Sequence, residues 1–405
     1  MPSRLPPPTI ERLPLSGAYV LTGTPVRMTA EFAQDGRALA MNPDTGDALV
    51  IAPGQQQQGP TPNADNGWFV RIVRADGRIE AVTRISERYP NYGETATAVW
   101  HKASQRYWLL WREVGPDNGR FVRFAVLDAA GQLQGAVSTL ASNGLTPALA
   151  IHEPSGAGLI TWMRQNAGPT PSPDATDVIG QLITATGAPS GVEIQVATGP
   201  LSQHSGRVAS DDTGFAIMWY DDRPNGLSLR RISTDGLTMG PIVAILPFGS
   251  GGTPVTLLKG ASSKGFRATW GDQRHAYESG KRYLYGQVFD PDLKPVAPQR
   301  PRAMQQSFTS TGAIEDLSDG SLLLAWQERQ TRYMAPWNDS YSAGGDLHLQ
   351  RLTPDGQPAG QPGVFFGPDC RDATVAFDVR TGGFASLWAA ENSKELTLQR
   401  FRWVP

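Results

Sequence analysis

Only one cysteine, Cys370, is present in the chain. That excludes an intramolecular disulfide and any multi-cysteine zinc or iron–sulfur site. Its setting, GPDCRDA, offers no helper residue for a nucleophile, so Cys370 reads as a lone thiol near a loop. Charge is scarce too: 18% of residues are Asp, Glu, Lys or Arg, the net charge is −2, and lysine is much rarer than arginine. With no basic run to attract phosphates, nucleic acid is not an expected partner. No apolar run approaches the roughly 20 residues of a membrane span, so no membrane insertion is expected. The opening MPSRLPPPTIERLPL has no hydrophobic signal core. The expected location is therefore secreted, periplasmic or cell-surface if a leader has been removed, and cytoplasmic otherwise.

Turn formers, by contrast, are plentiful. With 44 glycines and 33 prolines in 405 residues, the composition suits many short strands joined by tight turns. Tryptophan then marks a period. Trp111, Trp162, Trp219, Trp270, Trp326 and Trp388 follow one another at 51, 57, 51, 56 and 62 residues, as repeat units with variable loops do. Each closes an apolar run and is followed by polar residues, as in GFAIMWYDDRP at 214 to 224. Before the run stands a glycine turn: DTG at 212 to 214, SKG at 263 to 265, SDG at 318 to 320, TGG at 381 to 383. After the polar residues comes a strand alternating apolar residues with Arg or Gln, such as LSLRRISTDG at 227 to 236 and LHLQRLTPDG at 347 to 356. Period-two alternation implies one face in the core and one nearer water. A further copy lies at DTGDALVIAPG, where aligning Gly46 with Gly214 puts Ile51 in the tryptophan's place.

Four strands per copy and seven copies resemble a seven-bladed β-propeller of the degenerate kind found in bacterial surface and secreted proteins. The resemblance spans residues 14 to 405 as one domain after a proline-rich arm at 1 to 13. It implies an all-β fold with blades near 33–87, 94–142, 146–199, 205–248, 253–301, 310–366 and 372–405. The last copy has only three strands, so a strand from 16–32 is expected to join it and close the ring. Kelch double-glycine strands and the signature of WD repeats are missing, and no enzyme family matches.

By the same resemblance, function belongs on the face where the connections from second to third strands gather around the axis. In this chain these connections carry Arg112, Glu113, Arg164, Tyr220, Asp221, Asp222, Arg223, Asp272, Arg274, His275, Glu328, Arg329, Tyr333, Trp337 and Asp339. Aromatic rings among acids and guanidinium groups suit a sugar, whose faces stack while its hydroxyls hydrogen-bond. The leading expectation is a non-catalytic propeller that binds a glycan or a protein surface. Asp and Arg after a buried strand also serve simply to cross-link blades.

Other readings compete. Arg274, His275 and Tyr277 together offer the residue types for β-elimination, a base with an arginine to neutralise a uronate carboxylate, so a polysaccharide lyase is one alternative. A glycoside hydrolase would need two carboxylates at a set separation, with Glu113, Asp221, Asp272 and Glu328 as candidates. A structural or assembly module, docking a partner through the N-terminal arm, is a third. SDDTG at 210 to 214 begins like a sialidase Asp-box, but its tryptophan comes too late. NPDTGD at 42 to 47 and SPDATD at 172 to 177 are too poor in oxygen ligands for calcium. No metal and no cofactor is expected. His204 is placed on a connection that reaches the same face, whereas His101, His152 and His348 read as structural.

Overall fold

The computed structural model describes residues 14, 17–28, 37–53, 67–87, 96–115, 119–165, 176–199, 202–222, 226–246, 252–259, 265–272, 282–305, 313–316, 320–334, 339–354, 356–365, 370–378, 380–390 and 395–404. Apart from one 3-10 turn at Lys102–Ser104, these form strands and their turns. No helix among them is long and apolar enough to cross a membrane. The strands make seven four-stranded antiparallel sheets. Blade 1 begins at Ala38–Met41, blade 2 at Ala96–His101, blade 3 at Gly144–His152, blade 4 at Gln203–Asp211, blade 5 at Gly252–Lys259, blade 6 at Ala313–Asp316 and blade 7 at Cys370–Asp378. These first strands touch their neighbours from blade to blade, and blade 7 touches blade 1. They form the inner wall of a closed ring, a seven-bladed β-propeller.

Closure comes from the N-terminal segment. Ala18–Met28 lies antiparallel to Leu396–Val404 as the outer strand of blade 7, with Ala18 opposite Val404 and Met28 opposite Leu396. The closing strand thus lies within the 16–32 stretch from which it was expected.

The second strands are buried on both faces, as expected of a middle strand between two neighbouring blades. Seven apolar clusters, one per seam, form the core of the described residues. Four of the tryptophan wedges point into the seam with the preceding blade: Trp111 toward blade 1, Trp162 toward blade 2, Trp219 toward blade 3 and Trp270 toward blade 4. In blade 1 the register places Ala52, not Ile51, at this position. Ala48 pairs with Val73 as Phe215 pairs with Ile232, which sets Ala52 level with Trp219. The offset arises because Asn42 bonds across to Asp47, leaving four residues in the turn where blade 4 has two. Phe69, directly opposite Ala52, supplies the missing bulk.

Third strands depart from simple alternation. Gln181, Gln287, Gln350 and Gln399 are buried rather than turned to water. Each donates its amide to carbonyls of the outer strand or the turn leading into it: Ser190 at 2.6 Å, Ala297 at 3.0 Å, Ala359 at 2.7 Å and Thr22 at 3.0 Å. In blades 3, 6 and 7 the outer strand bulges opposite the glutamine. The amide fills hydrogen bonds that the broken ladder leaves open. At Gln399 this clasp also fastens the closing strand.

The turns after the third strands repeat as well. Gly77, Gly131, Gly187, Gly236 and Gly356 all have positive φ and donate to the residue three back, a geometry that favours glycine. Most of these turns rest on the preceding blade. A β-carbon on Gly187, at φ 87, would lie 2.4 Å from Val126 of blade 2. Gly187→Ala combines left-handed strain with overpacking and is expected to cost about 2 kcal/mol. Urea denaturation checks this against Gly191→Ala, which has positive φ but nothing within 4 Å of its β-carbon.

Candidate functional site

Second strands run in the same sense in every blade, so the residues after each tryptophan emerge at one face. Their roles there differ. Glu113 is fully buried, and its Oε2 accepts from the indole N–H of Trp111 at 3.1 Å and from Ser86 Oγ at 2.5 Å. Its Oε1 forms an ion pair with Arg123 Nε at 2.8 Å. Asp272, also buried, accepts from the Trp270 indole at 3.2 Å. Both carboxylates follow their tryptophan by two residues, on the same side of the strand. They hold an indole that has left water.

Arg164 forms an ion pair with Glu193 on the outer strand of its own blade. Arg112 is partly exposed. Blade 4 presents Tyr220, Asp221 and Asp222, all half-buried, with the Asp222 amide donating to Ser202 O at 3.0 Å. Burial, then the nearby Asp222 and Asp221 carboxylates, push the Tyr220 hydroxyl above its ordinary range. Tyr220 therefore stays neutral, and its ring packs against the apolar cluster between blades 4 and 5. Opposite it stands His204, within the first strand Gln203–Asp211 rather than on a connection.

In blade 6 the connection is a hairpin rather than an irregular loop. Leu322–Met334 and Asp339–Leu352 stay paired as far as Met334 opposite Asp339. Eight residues beyond Trp326, at about 3.3 Å each, carry this ladder roughly 25 Å further along the strand direction. Glu328, Arg329, Tyr333 and Asp339 belong to it, though their side chains lie outside the described residues. Arg223, Arg274, His275, Tyr277 and Trp337 lie wholly outside them.

A second feature of this end is not in the set drawn from the connections. The first strands of blades 3, 4, 5 and 7 each lose register once, between Leu145 and Ala148, His204 and Arg207, Pro254 and Thr256, and Arg371 and Thr374. All four breaks fall at or beside the level of the tryptophan. Thr146, inside the first, has φ 46. Positive φ in a β-branched residue persists only where the surroundings enforce it. Two arginines lie near this level, one residue apart in register, Arg207 within the first strand of blade 4 and Arg37 just before that of blade 1. Arg207 pairs with Met218, and Arg37 precedes Ala38, which pairs with Ile51. A charged residue interrupting an apolar first strand, as in HSGRVAS, was the available signal.

At the opposite face the blades are tied by polar groups. His101 Nε2 lies 2.8 Å from Gly156 O of the next blade. Asp211 accepts from Gly265 N of the next blade at 2.8 Å and from Arg231 at 2.6 Å. No group of His, Cys, Asp or Glu suited to a metal occurs among the described residues.

No family model matches the chain, and no curated protein matches it in sequence. Solved structures do match in fold. An oligogalacturonate lyase from Vibrio parahaemolyticus superposes with a TM-score of 0.52 at 8% identity, over 96% of this chain and 98% of that one. The polysaccharide lyase Uly1 gives 0.53 at 10% identity, over 92% and 90%. A xylan β-1,4-xylosidase from Bacillus halodurans gives 0.40 at 11% identity, over 93% and 99%. The structural neighbours thus include propeller glycoside hydrolases and polysaccharide lyases. At these identities the likeness to the two lyases bears on the fold alone.

Proposed function

We propose that this propeller is a non-catalytic binding module that takes a glycan on the face where the second-to-third connections emerge. One observation carries the reading. Glu113 and Asp272, two of the acids that a pair of catalytic carboxylates would draw on, are buried and engaged by tryptophans of their own blades, while Tyr220, Asp221 and Asp222 reach solvent. A neutral phenol beside two carboxylates suits sugar hydroxyls and a sugar's apolar face. In a glycan array the protein is expected to bind at least one polysaccharide, and Tyr220→Ala to bind it about tenfold more weakly. An empty array, or undiminished binding by the variant, would overturn this reading.

The second reading is a polysaccharide lyase, since a lyase activity is printed for the two neighbours above that superpose with TM-scores over 0.5. The second strand of blade 5 ends at Asp272 on this face, and Arg274, His275 and Tyr277 follow it in sequence. Absorbance from new unsaturated ends on incubation with acidic polysaccharides, abolished by His275→Ala, would decide for the lyase. Binding without such absorbance decides for the module.

A further inference from the structure

We propose that His101 is a pH-operated latch between blades 2 and 3: neutral, it ties their inner hairpins together, and protonated, it releases them. The latch lies at the face opposite the proposed glycan site and does not depend on that reading. Contacts on both ring nitrogens fix its tautomer. Ser104 N lies 3.2 Å from Nδ1, and a backbone amide can only donate, so Nδ1 is an acceptor. Ser104 Oγ, 2.6 Å away, donates to the same atom. The ring proton therefore sits on Nε2 and is donated to Gly156 O of blade 3 at 2.8 Å. One imidazole is thus both the N-cap of the 3-10 turn Lys102–Ser104 and the link to the next blade. It is 1% exposed and stacks on Trp108 at 4.2 Å.

A second proton has only Nδ1 to occupy, where it confronts the Ser104 N–H and removes the cap. The turn then loses what holds it closed. Gln105, which ends it, has φ 54, a left-handed conformation that a residue other than glycine keeps only under constraint. The new charge would also lie in a place closed to water. Burial lowers the His101 pKa from its ordinary 6.5, and the Gly156 carbonyl and the Glu153 carboxylate only partly offset it. On the facing hairpin of blade 3 stand the exposed Glu153 and the buried His152, whose Nδ1 is 2.7 Å from Ser155 Oγ. On the ring's own hairpin Lys102 is exposed and Arg106 half-buried. The turn at 184–187, whose Ala185 packs beside Gly156, brings no carboxylate, imidazole or cation. The closed latch thus binds a proton more weakly than the open hairpins do. Its contribution is complete above pH 6.5 and is lost as pH falls from there toward the folded value.

Hydrogen exchange on the full chain tests this, read as the protection of residues 101–106 and 153–158 at about pH 7.5 and about pH 5.5, corrected for intrinsic rates. One unit below the open-state value is one decade of protonation, so protection should fall about tenfold at the lower pH. Residues 211–216, at the Asp211 tie of blades 4 and 5, should not change. His101→Asn keeps an acceptor for Ser104 N and cannot titrate, so its protection should be equal at the two pH values. Equal protection of the unaltered protein at both overturns the latch. A loss that persists in His101→Asn also overturns it and assigns the effect to another group, His152 first. If His101→Asn is unfolded in a melting experiment, His101→Gln, equally unable to titrate, takes its place. Should neither fold, the unaltered protein decides: a fall in both segments supports the latch, and a fall confined to 153–158, the hairpin of His152, overturns it.

Discussion

Replacing Asp211 with alanine is expected to destabilise the protein by about 3–5 kcal/mol, the range for removing one partner of a buried ion pair. The Asp211 side chain is fully enclosed and lies 2.6 Å from Arg231 Nη2. It also accepts from the backbone of Thr213 and, across the seam, from Gly265 N. The alanine variant would strand Arg231 and leave a buried amide without its acceptor. Asp211→Asn, which keeps an acceptor but not the charge, should lose less. Burial pushes the Asp211 carboxyl up, but hydrogen bonds from Arg231, Gly265 and Thr213 outweigh it and hold the group below its ordinary value of 3.8. A carboxyl depressed by folding adds stability that is fully present above the unfolded value and is lost as pH falls through the folded one. The gap between wild type and Asp211→Ala in urea denaturation should therefore hold from neutral pH to near pH 4 and narrow below it. A constant gap down to pH 2 would show that the carboxylate does not act through its charge.

Trp270→Ala should cost a similar amount, about 3–5 kcal/mol, for a different reason. The ring is fully buried in the seam between blades 4 and 5 and stacks near Tyr285 at 6.5 Å. Its removal opens a cavity that two rigid sheets cannot collapse. Trp270→Phe separates volume from chemistry. It keeps most of the ring but removes the donor to Asp272, so it should cost about 1–3 kcal/mol. If the two variants proved equally destabilised, the indole N–H rather than the wedge would be the main contribution.

These two positions differ in how legible they are. Trp270 announces itself, because six tryptophans at a near-regular spacing carry the repeat on their own. Asp211 does not. It sits in SDDTG, a segment that reads as a turn, and its importance comes from Gly265, 54 residues later and one blade away. The glutamines of the third strands make the same point. Their period-two placement suggested a wet face, yet Gln350 is 1% exposed because the outer strand bulges over it. Among the described candidates, Arg112, Glu113, Arg164, Tyr220, Asp221, Asp222 and Asp272 follow their second strands at one end of the blades. Burial then divides Glu113 and Asp272 from Tyr220, Asp221 and Asp222, a division that no local pattern encodes.

The sequence by itself determined the strand-rich class, the count of seven units and the need for a borrowed closing strand, because period, turn residues and a missing fourth strand are all local properties of the chain. Only the tertiary structure decided that Ala52 stands in a tryptophan's place, which carboxylates are enclosed, and where the first strands break register. Those outcomes depend on register and on contact between segments tens to hundreds of residues apart. Burial and electrostatics are set by such neighbours in space, and the linear order of residues does not record them.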